Sequence, residues 1–465
     1  MLARWQNQEE GLAFVLAHPA AMLDFDMGTG KTRVAIDAVF ALSDVKTILV
    51  LCPKAVVPVW RQNIKKFYPD GGWNVWDTQK GSVKSKAADL KEWLFLGSNL
   101  KRFVVINYDS AWRDGLGDII MKYSWGMVIL DESHRVKAAS SKISRFVARL
   151  GRRVPRKLCL SGTPMAHSPL DIYGQYRFLD PTIFGTNWSS FLGDFAIMGG
   201  PEHRFVVGYK NQQELYRRFK TIAISCRMSD VRERLKLPET LPDTVRRVTL
   251  PPADMRTLRD LEKDFIAATQ AGTVVVKNVL VKLLRCQQIT SGFCVTQENP
   301  LAVEEVSELN NTKEKELSEI LEDIGPRPIV VFCNFRHDLD AIGRVATKLH
   351  RTSYELSGRV NQLAEWQEKG RELGAILAVQ IQAGAEGVDM TQACHAVYYS
   401  LPYSLALYNQ SRARLYRPGQ KRPVSFIHML AKNTIDEGIY AALERKEEII
   451  DQIKAGTFDF GYAKK

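Results

Sequence analysis

The chain is poor in cysteine chemistry. Its seven cysteines (Cys52, Cys159, Cys226, Cys286, Cys294, Cys333 and Cys394) contain no C-x-x-C pair. That argues against zinc modules and disulfide frameworks and leaves buried free thiols in a reducing compartment. Long apolar runs are also missing: the longest, residues 12–25, falls short of the ~20 residues a membrane helix needs and contains Pro19. Residues 1–11 are polar and carry no signal-peptide core. The expectation is a protein without membrane attachment, cytoplasmic in a bacterial or viral setting or nuclear in a eukaryote. Internal repeats and low-complexity segments are absent too.

What is present is ordinary globular composition, 45% hydrophobic and 25% charged over 465 residues, enough for two to four domains. The excess is basic: 64 Lys and Arg against 52 Asp and Glu, a formal charge of +12. Such a surplus favours a polyanionic partner, although ATP is itself a polyanion and basic surfaces also serve solubility.

The most informative stretch is Asp26-Met27-Gly28-Thr29-Gly30-Lys31-Thr32. Gly28 and Gly30 let the backbone turn tightly and bring its N–H groups to phosphate oxygens, where a Cβ would intrude. Lys31 is placed for the β- and γ-phosphates and the Thr32 hydroxyl for Mg²⁺. Residues 20–25 read as the strand feeding this turn, and residues 33–42 as the helix whose N-terminus faces the anion. The commoner pattern has a further glycine where Phe25 stands.

Strand and helix alternate onward: a strand at 47–52, a helix at 57–67 with Trp60 on its apolar face as a core residue, a loop at 70–86 and a strand at 103–107. Residues 127–130 form another apolar strand, ending in Asp131-Glu132-Ser133-His134. Chemistry in α/β proteins gathers at the carboxyl ends of strands. There Asp131 can hold Mg²⁺ through water, and Glu132 can orient and deprotonate an attacking water. A strand at 157–160 ends in Ser161-Gly162-Thr163-Pro164, whose hydroxyls can bond the acidic motif and sense departure of a γ-phosphate. A plain turn is the alternative for that tetrapeptide.

In this order the motifs resemble the superfamily-two helicases, and more narrowly the SWI/SNF-type double-stranded DNA translocases. Residues 178–191 (FLDPTIFGTNWSSF), 226–241 (CRMSDVRERLKLPETL) and 283–293 (LLRCQQITSGF) extend the likeness. So does Gln410-Ser411-Arg412-Ala413-Arg414-Leu415-Tyr416-Arg417-Pro418-Gly419-Gln420, which matches the family's motif VI at Gln410, Arg414, Arg417, Gly419 and Gln420; Arg412 has no counterpart in that pattern. The resemblance implies that Arg414 and Arg417 reach the γ-phosphate across an interlobe cleft. It also implies that Gln8 reads the adenine edge, and that His134, Ser161, Thr163 and Gln410 couple hydrolysis to motion. Residues 383–390 resemble motif V, which makes Gly387 and Asp389 candidates for the sugar edge of ATP. Ala385 and Asp389 depart from the DNA-translocase form toward RNA-helicase relatives.

The implied fold is α/β: two RecA-like lobes with parallel sheets, a helical insertion between them and a C-terminal brace helix. The boundaries are 1–192 for the first lobe, 193–310 for the insertion, 311–432 for the second lobe and 433–465 for the helix and tail. The start of the insertion is strongly basic, with Arg204, Lys210, Arg217, Arg218, Lys220, Arg227, Arg232, Arg234 and Lys236 serving either as a solvated face or as phosphate contacts. The implied activity is that of an ATP- and Mg²⁺-dependent motor on double-stranded DNA, with branched or fork DNA in repair or recombination as a refinement. A monomer is expected, and the sequence identifies no recruiting protein. A strand-separating helicase or RNA-dependent ATPase, and a DNA-binding scaffold with a vestigial ATPase, stand as alternatives.

Overall fold

The computed structural model describes residues 3–78, 81–165, 168–199, 205–233, 237–270, 276–296, 305–372, 374–384 and 388–445. The chain divides into two units, Met1–Lys236 and Leu237–Lys465.

The first unit is built on strands β1 (Ala20–Phe25), β2 (Thr47–Cys52), β3 (Trp73–Trp76), β4 (Lys101–Asn107), β5 (Met127–Asp131), β6 (Arg156–Ser161), the hairpin strands β7 (Ala196–Gly199) and β8 (Phe205–Tyr209), and β9 (Ala223–Cys226). Seven of these form one parallel sheet in the order β3-β4-β2-β5-β6-β1-β9. Sequences such as Thr-Ile-Leu-Val-Leu-Cys in β2 are apolar on both sides because both faces of the sheet are covered. Its helices begin with α1 (Gln6–Ala17), α2 (Lys31–Ala41), α3 (Val57–Phe67), α4 (Val83–Phe95), α5 (Tyr108–Ala111), α6 (Leu116–Lys122), α7 (Lys142–Gly151) and α8 (Ile172–Leu179). One face buries Leu12, Val34, Ile36 and Trp60 against Ile48, Val50 and Ile129, which places α1, α2 and α3 there. The other buries Phe146, Leu150, Tyr173 and Tyr176 against Leu49, Leu51 and Leu130, which places α7 and α8 opposite α2.

The strand order brings the carboxyl ends of β1, β5 and β6 together. Asp24 pairs with Ser161 across β1 and β6, and Asp131 with Leu160 across β5 and β6. The glycine turn, about a hundred residues before the acidic motif, and the hydroxyl turn, some thirty after it, therefore meet at the carboxyl ends of adjacent strands.

The second unit holds β10 (Thr244–Val248), β11 (Phe293–Thr296), β12 (Glu305–Glu308), β13 (Ile329–Cys333), β14 (Ser353–Leu356), β15 (Ile376–Gln380), β16 (His395–Tyr398) and β17 (Ser425–Ala431). Six form a parallel sheet, β10-β17-β16-β13-β15-β14, and β11 and β12 pair separately as an antiparallel hairpin. Leu339 and Ile342 of the helix Arg336–Lys348 line one face. Leu283, Ile289, Trp366 and Ile439 line the other.

Residues 193–310 contribute strands as well as helices: β9 completes the first sheet beside β1, β10 completes the second beside β17, and the division of the chain falls after Lys236. A four-residue edge strand such as Ala-Ile-Ser-Cys has too little length to show a period, and only pairing with β1 makes it a strand. Residues 70–86 contain β3 and the start of α4, because Trp76 and Val75 find buried places against the sheet. The C-terminal helix runs Ile435–Glu444 and lends Ile435, Ile439 and Leu443 to the second unit's own core. The remainder of the expected brace, 446–465, lies outside the described residues.

Among the described residues no helix is long and apolar enough to cross a membrane. None of the seven cysteines forms a disulfide, and six of them are buried.

Candidate nucleotide-binding site

β1 ends at Phe25, the chain turns through Gly28 (φ 83°) and Gly30 (φ 94°), and α2 starts at Lys31. At Gly30 any side chain would be strained by the left-handed backbone, and its Cβ would overlap Gln8 Nε2. Gln8 is thus buried directly against the turn, with its Oε1 accepting from Trp5 N at 3.0 Å. The turn is tied from within by Thr29 Oγ1, which donates to Asp26 O at 2.7 Å, and from α1 by Asn7 Nδ2, which donates to Thr29 O at 2.8 Å. Lys31 is buried, and its Nζ donates back to Phe25 O at 3.0 Å. Thr32 and Met27 are half-buried in the same turn. Gly162 presses on it from β6: a Cβ there would stand 3.2 Å from Phe25 O and 3.5 Å from Lys31 Nζ.

The acidic motif is held rigidly. Asp131 Oδ2 accepts from Trp60 Nε1 at 2.9 Å and Oδ1 from the Glu132 N–H at 3.1 Å, while its carbonyl accepts from Tyr108 Oη at 2.8 Å. Burial, together with the adjacent Glu132 carboxylate, pushes the Asp131 carboxyl up to about 6; the Trp60 bond and the Lys31 ammonium act against that rise. Glu132 adopts a left-handed backbone (φ 52°, ψ 54°), strain of order 1–3 kcal/mol that is typical of working residues. Its Oε2 is buried without a hydrogen-bond partner, as is Thr163 Oγ1. His134 Nδ1 lies 3.5 Å from Glu132 Oε2 and 3.2 Å from Ser161 Oγ, and that same hydroxyl accepts from Thr163 N at 3.2 Å. Burial lowers the His134 pKa, so the ring is neutral near pH 7 and links the two motifs through hydrogen bonding. Ser133 Oγ donates to Gln175 Oε1 at 2.7 Å, and Gln175 Nε2 donates to Pro164 O at 2.7 Å, a second bridge between the same motifs.

Asp26 has a structural engagement that the motif did not reveal. Arg227 grips buried Asp24 with Nη1 at 3.0 Å and Nη2 at 2.6 Å, and reaches Asp26 Oδ1 at 3.3 Å. Met228 N donates to Asp26 Oδ2 at 2.8 Å. The segment after β9 therefore anchors the strand end that enters the glycine turn. Arg227 was one of the basic residues offered as phosphate contacts, and here it is an ion-pair partner. Arg217 and Arg218 of the same basic run are likewise paired, both to Glu214. Arg204, Arg234 and Lys236 lie outside the described residues.

In the second unit the helix Leu405–Leu415 buries Gln410 and Arg414, which a merely solvated basic helix would expose. Arg414 O accepts from Met390 N at 3.1 Å, Arg417 Nη1 donates to Val388 O at 3.1 Å, and Arg417 Nε stands 4.0 Å from Asp389 Oδ2. Gln420 Nε2 donates to Thr391 O at 3.1 Å and Ala393 O at 2.8 Å. These contacts join the two expected motifs side by side. Asp389 Oδ1 also accepts from Thr391 N at 2.9 Å and Oγ1 at 2.8 Å, the geometry of a turn that the aspartate itself stabilises. Gly387 lies outside the described residues. Arg412, without a place in the pattern, bonds Asp243 at 2.5 and 2.9 Å and stacks 3.9 Å over Phe426.

Of the residues that hold this site, Asn7, Arg227, Gly162 and Gln175 escaped sequence reasoning. Gly162 had a visible signal, a glycine between two hydroxyl residues at a strand end. The other three act through partners remote in sequence.

A glycine-turned anion loop opening a helix, with an acidic pair and a hydroxyl turn on the neighbouring strand ends, defines the core of a P-loop ATPase. The model of the SNF2-related domain matches residues 1–291, and that of the helicase conserved C-terminal domain matches 312–419. The chain belongs to the SNF2-related family and is a helicase-like ATPase. Similar proteins include the DNA annealing helicase and endonuclease ZRANB3 of Mus musculus, 22% identical over 95% of this chain and 40% of that protein. The SWI/SNF-related matrix-associated actin-dependent regulator of chromatin subfamily A-like protein 1 homolog of Caenorhabditis elegans is 24% identical over 98% of this chain and 63% of its own length. The chain thus spans between about two fifths and two thirds of these relatives. A solved structure titled Sulfolobus solfataricus SWI2/SNF2 ATPase core in complex with dsDNA matches 98% of this chain and 94% of its own at 19% identity, with a TM-score of 0.43, a likeness too loose to bear on the site.

Proposed function

We propose that the chain is an ATP-driven translocase on double-stranded DNA that remodels its substrate, branched or forked DNA included. The observation that carries the reading is Glu132: a half-buried carboxylate whose Oε2 is buried without a hydrogen-bond partner, next to Asp131 at the carboxyl end of β5. Its family membership, and the names of relatives that act on DNA, support the choice of polymer. The basic balance of the chain agrees with it.

The residues fit ATP with Mg²⁺. Positive-φ glycines leave backbone N–H groups open to an anion, Lys31 supplies the cation, and Glu132 Oε2 and Thr163 Oγ1 are buried polar atoms that want partners. Thr32 and Asp131 would hold the metal, and Gln8, pressed on Gly30, the nucleotide's base. When bound, Mg²⁺ neutralises charge on the phosphates as the terminal phosphoryl group transfers to water.

In this reading Glu132 takes the proton of the attacking water at Oε2. Arg414 and Arg417 stabilise charge on the transferring group, a role worth on the order of 10³ to 10⁵ in rate for such arginines. Ser161 and Thr163 sense the terminal phosphate, and His134 passes that change to the acidic pair. Gln410 couples hydrolysis to motion, and Asp389 serves the sugar edge of ATP.

The test is steady-state ATP hydrolysis with no polymer, duplex DNA, single-stranded DNA and RNA, for the wild type, Lys31→Ala and Arg417→Ala. Duplex stimulation that both substitutions abolish is the expected result. Stimulation by RNA alone overturns the DNA assignment. Displacement of a third strand without unwinding of the duplex separates a translocase from a strand-separating helicase. DNA binding without turnover, unchanged by Lys31→Ala, favours a scaffold.

A further inference from the structure

α7 is amphipathic in an unusual way. It starts at Ser141, whose Oγ accepts from Ser144 N at 3.2 Å, and turns Phe146, Val147 and Leu150 into the core. Its outer flank carries Lys142, Arg145 and Arg149, with Arg152 just past its end, all exposed. Spacings of three, four and three residues stack these cations on one side of the helix. Like charges at such spacing repel by a few tenths of a kcal/mol per pair. Among the described residues none of the four lies within ion-pair distance of a carboxylate, so nothing in the fold offsets that repulsion.

The flank borders a cleft of about 510 Å³ whose lining includes Trp112 and Arg177 and contains no acidic residue. Lys142 Nζ sits 5.0 Å over the half-buried Trp112 ring. Arg177 is fixed in place by bonds to Ala139 O at 2.8 Å and Ser144 Oγ at 3.0 Å, and its Nε is buried without a partner. The cleft is on the sheet face opposite α2, so it is no part of the nucleotide loop.

We propose that this cleft is a second phosphodiester-backbone site, which holds one arm of a branched DNA while the motor acts on another; in that respect it rests on the DNA reading above. The cations span ten residues, about 15 Å of helix at ~1.5 Å per residue. That length covers about four nucleotides at ~3.4 Å per step along one strand. A rod of one sign with one half-buried aromatic, Trp112, beside it suits a repeating anion without base readout. An acidic protein segment is the competing occupant, and the experiment distinguishes it.

The experiment measures equilibrium binding of the full chain, without nucleotide, to a linear duplex, a three-way DNA junction and poly-glutamate, from about 50 to 200 mM salt. It compares the wild type with Arg145→Ala/Arg149→Ala, Lys142→Ala/Arg152→Ala and the charge-conserving Arg145→Lys/Arg149→Lys. The site predicts that each alanine pair removes at least about tenfold of the junction's affinity advantage over the duplex and lowers its log–log salt slope by about 2. The lysine pair keeps most of both, and duplex-stimulated ATP hydrolysis stays within about twofold in every variant. Unchanged junction affinity and slope overturn the site and leave the motor reading intact. Loss of poly-glutamate binding with DNA binding preserved overturns it in favour of an acidic protein. If the slope falls while the wild-type ATPase ignores DNA, the site stands and the motor reading fails.

Discussion

The indole Nε1 of Trp60 donates to Asp131 Oδ2 at 2.9 Å, in a part of the core where both side chains are buried. A residue that looks like packing alone thereby fixes the carboxylate assigned to the metal. Trp60→Phe keeps the apolar contacts and removes the donor, which leaves a buried acceptor unsatisfied. The expected cost is about 1–3 kcal/mol of stability. ATP turnover falls about 10- to 100-fold, the usual penalty for losing an outer partner of a metal-holding group. Thermal melting and ATP hydrolysis check the two effects separately.

Arg227 bonds Asp24 across 203 positions of sequence and also reaches Asp26. Asp24 is 1% exposed, whereas the guanidinium is 41% exposed, so solvent tempers the loss of the pair. Arg227→Ala is expected to cost about 2 kcal/mol and to raise the KM for ATP, because the entry to the glycine turn loses its anchor. Adding Asp24→Asn removes the stranded charge. The double variant should therefore be more stable than the sum of the singles by about 1 kcal/mol or more, measured by denaturant unfolding in a double-mutant cycle.

Arg412 pairs with Asp243 two positions before Arg414 on the same helix, and it stacks on Phe426. We expect it to position the arginines and not to touch the nucleotide. Arg412→Lys cannot reproduce the paired bonds or the stacking, so it should lower kcat nearly as much as Arg412→Ala. The KM for ATP should change less than twofold in both. A large KM effect with kcat preserved would contradict the assignment.

His428 is fully buried, stacked on Tyr398 at 4.9 Å and bonded to Tyr408 Oη at 2.9 Å. Burial pushes its pKa down to about 4, with Arg412 adding to the effect and Asp243, 3.9 Å away, opposing it. The unfolded imidazole titrates near 6.5, so between about 6.5 and 4 the unfolded chain binds the extra proton. The stability associated with neutral His428 is complete above about 6.5 and is lost as pH falls through that window, by about 3 kcal/mol at most. Asp338 acts in the opposite sense: burial raises its pKa to about 6, so its protonation below that pH favours the fold. His428→Gln should flatten the fall in melting temperature between pH 6.5 and pH 4.5 relative to the wild type. An unchanged slope would show that His428 does not set it.

The glycine turn, Lys31, Thr32, the Asp131-Glu132 pair, Arg414 and Arg417 could be proposed from the sequence because their chemistry is local. Each needs only a few adjacent residues at the end of a strand or along a helix, and the apolar runs around them announce those elements. The same locality made β1, β2, the helix Val57–Phe67 and the alternation in both units readable. What tertiary structure decided is what couples distant segments. It turned Ala223–Cys226 and Thr244–Val248 into sheet strands, bound Arg227 to Asp24, Trp60 to Asp131 and Arg412 to Asp243, and lined up four cations beside Trp112. A pairing between residues 71 or 203 positions apart leaves no period in either segment, since each partner's neighbours are chosen by their own local packing. The chain alone pointed to the groups proposed to carry the reaction; the fold determined which groups hold them in place.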